Sequence, residues 1–289
     1  MRCGPSSRRS RARRYAGFSL IELLVTVSIS SVVLTGVVRF MALQTRKLSG
    51  HSYRLEAQHA LRSTLDAISR DVRLAGAGLA TQGQFISLAG TDAAGGDTIT
   101  ARTCIVGANL ACLPATLAAD HAAGSTTLQL QAGQTTAFSV GSYVYVKEQA
   151  GGGQFVTVTA VDAGNNRLTT TPGLTQLYHI GSGAYAIDER RYAIDRSNPA
   201  NPVLTLSVNG GAAQAFAAGV TDLQIQYVLQ RNCPACDVVD APAANDTATW
   251  RLVNEIILTA TAQTVGTVRP EDVVSFTATS RTKPRNLLP

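Results

Sequence analysis

One carboxylate stands alone in the first apolar stretch of the chain: Glu22, within Phe18-Ser-Leu-Ile-Glu-Leu-Leu-Val25. A charge in a segment of membrane length is costly and marks a functional position. Its available chemistry is neutralisation of a cation where water is excluded and opposite charges attract strongly. Elsewhere the reactive residue types do not converge. His51, His59, His121 and His179 are scattered, and the first two, eight residues apart, are too distant for one metal. They read as solvated or packing residues. Asp188-Glu-Arg-Arg191 reads as solvated charge at a strand entry, and Gly151-Gly-Gly153 joins two strand-like runs with no helix to bind phosphate. Cys233-Pro-Ala-Cys236 has redox-motif spacing but lacks a surrounding βαβ pattern. No H-E-x-x-H, G-x-S-x-G, P-loop or EF-hand pattern occurs. The reading is of a non-enzyme that needs no cofactor and no metal.

The element that must carry Glu22 is legible. Residues 1–17 hold six arginines and no acidic residue, which keeps this flank cytoplasmic and sends the C-terminus outward. Residues 18–38 follow as an apolar run; as a helix these 21 residues span roughly 31 Å, the thickness of a bilayer core. The run is too long for an export-signal core, and no small-residue cleavage site follows it before Arg39. No lipobox precedes Cys3, and Arg13-Arg14 imitates a twin-arginine signal only loosely. Proline is absent from Phe18 to Leu79, and Leu48, Leu55, Leu61, Leu65, Ile68 and Val72 recur near one face. Arg54, Arg62, Asp66, Arg70 and Asp71 fall elsewhere. One helix is therefore expected over about 18–74, ended by Gly76-Ala-Gly78, with its second half (39–78) amphipathic.

From about residue 80 the period becomes two. Strand-like runs are Thr126–Gln131, Ser142–Lys147, Phe155–Val161, Arg190–Ile194, Val203–Val208, Leu223–Leu229, Trp250–Ala262 and Val273–Thr279, with no further helix of any length. The expected class is α+β: a long N-terminal helix packed on an antiparallel β-sheet head over 79–289. The tract 103–180 reads as an inserted β-rich subdomain.

Gly17-Phe18 followed by Ser-Leu-Ile-Glu-Leu-Leu-Val resembles the class III leader junction of type IV prepilins and type II secretion pseudopilins. The resemblance implies that a prepilin peptidase removes residues 1–17 by cutting between Gly17 and Phe18. The same enzyme would N-methylate Phe18, and Glu22 would be the assembly glutamate. A neighbouring subunit's Glu22 would then neutralise the new ammonium of Phe18 and set axial register.

Processing changes the charge balance. The leader arginines take Lys+Arg from 25 to 19 against 19 Asp+Glu, so the formal +6 of the precursor vanishes and no nucleic-acid partner is expected. Cys3 leaves as well. Cys104, Cys112, Cys233 and Cys236 remain for an oxidising periplasm, where local pairing 104–112 and 233–236 is the simplest arrangement. Cross-pairing and a four-cysteine zinc site are the alternatives.

Looser motifs narrow the resemblance. Arg70-Asp-Val-Arg-Leu-Ala-Gly76, Gly219-Val-Thr-Asp-Leu-Gln-Ile-Gln-Tyr227, Trp250-Arg-Leu-Val-Asn-Glu-Ile-Ile-Leu258 and Val274-Ser-Phe-Thr-Ala-Thr-Ser-Arg281 are similar to segments of PilW-type minor pilins. The GspJ-type pseudopilins of type II secretion are cousins, but shorter and without a large insertion. The resemblance implies a minor pilin of the inner membrane, single-pass, with its head in the periplasm and surface display after assembly. Its partners would be prepilin peptidase, other minor and major pilins and the inner-membrane pilus assembly platform, in a priming or tip complex. A secretion pseudopilin, or a pilus-associated adhesin using the insertion, is the alternative.

Overall fold

The computed structural model describes residues 19–77, 87–104, 114–243, 246–264 and 273–285. Helix α1 runs Leu20–Leu74. The chain divides between Ser52 and Tyr53 into two compact units.

In the first unit α1 presents apolar side chains on every side, with Leu20, Ile21 and Val32 each more than 70% exposed. Several of its hydroxyls are satisfied inside the helix. Thr26 Oγ1 donates to Leu23 O at 2.9 Å, Ser28 Oγ to Leu24 O at 2.8 Å and Thr35 Oγ1 to Ser31 O at 2.8 Å. This back-bonding lets Ser and Thr sit in an apolar helix without an unpaired polar group.

In the second unit α1 lays one stripe on the head. Leu61, Leu65, Ile68, Val72 and Ala75 are buried in the main core. The stripe begins later than the periodicity suggests: Leu55 is 56% exposed, Leu48 (in the first unit) is likewise exposed, and Ala57 is the first buried residue. A repeat of leucines records a face, but only an opposing surface buries it. The helix stops at Gly76, whose φ of 80° is the left-handed cap conformation open to glycine. Its N–H then donates to Arg102 O at 2.8 Å.

The head is antiparallel, so the protein is α+β. One sheet contains β1 (Leu88–Thr91), β2 (Thr98–Cys104), β3 (Ala115–Thr116), β4 (Thr127–Gln129), β5 (Tyr143–Lys147), β6 (Gly153–Asp162), β7 (Arg167–Thr171), β8 (Gly183–Asp195), β9 (Val203–Val208) and β10 (Gln214–Ala218). Its main path is β1-β2-β8-β5-β6-β7-β4, with β9 on β8, β10 on β9 and β3 on β8. The second sheet contains β11 (Val220–Leu229), β12 (Val238–Val239), β13 (Val253–Gln263) and β14 (Ser275–Thr282), in the order β12-β11-β13-β14.

Strand β8 serves two cores. Its first residues, 183–187, pair with β5, while 187–192 pair with β2. Tyr192 thus joins the main core, with Leu88, Ile99, Leu223, Ile225, Leu258 and the helix stripe. Ala184 joins a satellite core of Leu117, Leu128, Val144, Val146, Val156, Val158, Leu168 and Tyr178. In β5 and β6 the valines face this satellite core, while Tyr143, Tyr145 and Phe155 stack on the opposite face, with Tyr143 and Phe155 centroids 5.1 Å apart.

Three sequence expectations need correction. Trp250 is not in a strand: it lies in a helical turn α2 (Thr247–Arg251), capped by Asp246 Oδ1 accepting from Thr249 N at 3.0 Å. Its indole N–H donates to Ala243 O at 3.1 Å, and its ring meets Tyr227 edge-on at 5.0 Å. Strands β1, β2, β3, β7, β10 and β12 lie outside the expected runs. In β2 both faces are covered, so its burial does not alternate. Finally, β8 starts seven residues before Arg190, at Gly183, which moves Asp188-Glu-Arg-Arg191 from a strand entry to mid-strand.

Candidate functional site

Glu22 lies in the first turn of α1, and its side chain is exposed. The turn is closed by Leu23 N donating to Ser19 O at 3.1 Å. A carboxylate here lies at the positive end of the helix dipole, worth about 0.3–1 kcal/mol at an exposed position. Around it the surface is apolar and continuous, with Leu20, Ile21, Leu23, Leu24, Val25, Val27 and Ile29 all exposed. Such a surface is stable against lipid or other apolar helices rather than in water. Helix α1 is long and apolar enough to cross a membrane and fits a membrane anchor. Gly17 and Phe18 lie outside the described residues.

The second cluster ties the end of α1 to the head, and sequence reasoning missed it. Asp71 is 5% exposed, although the helical pattern placed it off the apolar face. Its Oδ2 accepts from Tyr192 Oη at 2.7 Å and lies 3.6 Å from Arg190 Nη1; its Oδ1 lies 3.4 Å from Arg70 Nε. Arg190 also contacts Asp188 Oδ2 at 3.3 Å. Burial, then the hydrogen bond to Asp71, push the Tyr192 hydroxyl far above the usual phenol range, so it stays a donor. Two turns of the helix are fixed to β14 as well: Arg73 Nε donates to Thr282 Oγ1 at 3.2 Å, and Ser69 Oγ lies 3.3 Å from Ser280 Oγ. A cleft of about 310 Å³ opens beside this cluster, lined by Arg70, Asp71, Leu74, Thr103, Asp188 and Arg190. Its cations and anions already pair with one another. The neighbouring Glu189 is buried and bonded to Arg102 Nε at 2.6 Å, so within this charge run Glu189 is not solvated, while Arg191 is exposed.

The histidines do not meet. His51 and His59 are exposed on α1. His121 is buried, and its Nε2 accepts from Gln129 N at 3.0 Å. His179 Nδ1 lies 3.0 Å from Glu148 Oε1. Glu148 Oε2 also accepts from Ser182 Oγ at 2.8 Å and from His179 N at 2.9 Å. Burial raises the Glu148 pKa, but these hydrogen bonds together outweigh it and hold the carboxyl below its ordinary value. The serine points at the carboxylate and not at the imidazole, so this is not a nucleophile–base arrangement. Among the described residues no group of three or more His, Cys, Asp or Glu is placed to hold a metal.

Cys233 and Cys236 are bonded to each other, S–S 2.03 Å, in the loop between β11 and β12. Arg231 Nε to Asp237 Oδ2 at 2.7 Å closes the same loop. Cys104 is disulfide-bonded; Cys112 and the 104–112 pairing lie outside the described residues. These bonds are incompatible with a four-cysteine zinc site.

Residues 12–38 match the family described as the prokaryotic N-terminal methylation motif. This is the class III leader of type IV pilin-like proteins, and the match supports a type IV pilin-like or pseudopilin protein. Such a motif implies prepilin peptidase and other pilins as partners in general and suggests a structural protein. No match is found among curated proteins.

Proposed function

We propose that the chain is a minor pilin of the PilW type, matured by prepilin peptidase and built into a priming or tip complex. The peptidase cuts between Gly17 and Phe18, Phe18 is N-methylated, and Glu22 of one subunit meets the Phe18 ammonium of the next. The precursor sits in the inner membrane with residues 39–289 on the periplasmic side, and tract 103–180 is an insertion in the head. One observation carries the reading: the matched motif at 12–38 runs directly into a helix whose apolar surface is exposed around a lone carboxylate. In a membrane or a filament core that surface has a partner, and Glu22 gains a cation to neutralise.

A type II secretion pseudopilin shares the motif. The satellite core favours the pilin, because the secretion cousins resembled here lack a large insertion. Peptide mass spectrometry on sheared surface fibres and on membranes tests both. N-methyl-Phe18 in fibres supports the pilin; the processed peptide in membranes alone favours the priming or secretion role. Uncut leader in peptidase-competent cells overturns the proposal.

A further inference from the structure

Past the membrane-length run the surface of α1 does not simply turn polar. Arg39 is exposed, and directly after it Phe40 is 62%, Met41 63% and Leu43 57% exposed. Lys47 is exposed four positions on, beside Leu48 at 68%. Arg46 stands seven positions from Arg39 and so on the same helix face. Cations and large apolar residues thus interleave over 39–48.

Length sharpens the conflict. The exposed apolar surface runs from Leu20 to Leu43, about 36 Å of helix against about 30 Å of bilayer core. If Phe40, Met41 and Leu43 enter the core, Arg39 enters with them. If Arg39 stays in water, those apolar side chains stay there too. The headgroup layer satisfies both, because acyl chains begin where phosphates end and long basic side chains reach from one to the other. The excess of about 6 Å matches the depth of one such layer, about 5–8 Å. Lys47 lies about 12 Å along the axis from Arg39, a rise that helix tilt and the length of its own side chain bring within reach.

Charge selects the kind of lipid. No acidic residue occurs between Glu22 and Glu56, so neither this stretch nor the same stretch of a second copy beside it neutralises the cations. An acidic protein segment would pair the cations and leave Phe40, Met41 and Leu43 in water. Anionic phospholipid supplies both halves of the match.

We propose that residues 39–48 of α1 are a contact site for anionic phospholipid on the C-terminal side of the span. Arg39 and Lys47 meet headgroup phosphates, Arg46 adds to the positive charge of the stretch, and Phe40, Met41 and Leu43 meet the top of the acyl chains. This rests on the reading of α1 as a membrane anchor. A cation close to an anionic surface is worth roughly fivefold in local enrichment.

The test uses the full-length chain in vesicles of phosphatidylcholine containing some phosphatidylglycerol, with a fluorescent amino acid at Gln44, which reports on this flank of the span alone. A nitroxide near the head of the acyl chain is carried by one lipid or the other at equal molar fraction. The phosphatidylglycerol nitroxide is expected to quench roughly fivefold more strongly. The ratio should fall to parity with Arg39→Gln, Arg46→Gln and Lys47→Gln combined, and toward parity in high salt. Glutamine preserves helix propensity, and the salt comparison needs no variant. Equal quenching by the two lipids in the parent, or a preference that survives the triple substitution or high salt, overturns the inference. The same vesicles are washed at alkaline pH. A chain released by the wash sinks the membrane-anchor reading, whereas a retained chain with equal quenching sinks this inference alone.

Discussion

Tyr192 of β8 donates its hydroxyl to the buried carboxylate of Asp71 at 2.7 Å, joining residues 121 positions apart. Arg190 of the same strand lies 3.6 Å from that carboxylate, so two side chains of β8 meet the last turns of α1 there. Tyr192→Phe removes one donor and leaves the ring, which Phe216 contacts edge-on at 5.7 Å. The expected loss of head stability is about 1–2 kcal/mol, read by denaturant unfolding of the full chain in detergent. A variant as stable as the parent would mean that the arginines satisfy Asp71 alone.

Where the helix stripe begins is open to measurement. Ile68 is fully buried, whereas Leu55 is more than half exposed. Ile68→Ala should cost about 2–5 kcal/mol, and Leu55→Ala should stay within about 0.5 kcal/mol. Equal losses would show that the head covers the helix further toward its N-terminus.

The satellite core should weaken in acid. His121 has its pKa lowered from the ordinary 6.5 by burial, and Glu148 is held below the ordinary 4.5. A depressed folded-state pKa means that the unfolded chain binds the proton more readily, so stability falls as pH drops. The loss starts near pH 6.5 through His121 and continues below 4.5 through Glu148. His121→Gln, which can still accept from Gln129 N, should flatten the upper step. Glu148→Gln should cost about 1–3 kcal/mol at neutral pH, with the gap to the parent closing in strong acid. Chemical unfolding between pH 3 and 8 reads both, and a parallel shift of all three curves would contradict the assignment.

The loop holding Cys233 and Cys236 is closed twice, by the disulfide and by Arg231–Asp237. Loop-closure entropy for so short a ring is at most about 2 kcal/mol. Cys233→Ala with Cys236→Ala should therefore lower stability by no more than that and leave the chain folded. A chain that fails to accumulate would give the disulfide a larger role.

Two substitutions separate maturation from assembly. Gly17→Val should leave the precursor uncut, with Phe18 unmethylated. Glu22→Ala should be cut normally and yet fail to support filament formation. Parental fibre numbers in the Glu22→Ala strain would remove the role proposed for that carboxylate.

Much of this was readable along the chain. The arginine flank, the apolar run, Glu22 and the proline-free stretch to Gly76 are local signals, because a membrane-length helix is specified by its own composition. Period-two runs marked β5, β6, β9, β11 and β14, and burial alternates along β11 and β14, where one face is better covered than the other. Strand β2, covered on both faces, left no such pattern, and the Trp250 turn depended on the cap at Asp246. Asp71, Arg190 and Glu189 looked like surface charges and Glu148 drew no reading, since a buried ion is indistinguishable from a solvated one until its partner is known. Those partners lie in other elements: Tyr192 for Asp71, Arg102 for Glu189, Ser182 and His179 for Glu148. The sequence by itself determined the membrane-length apolar helix and its carboxylate. The tertiary structure decided which charges are buried, because burial depends on pairing between distant segments.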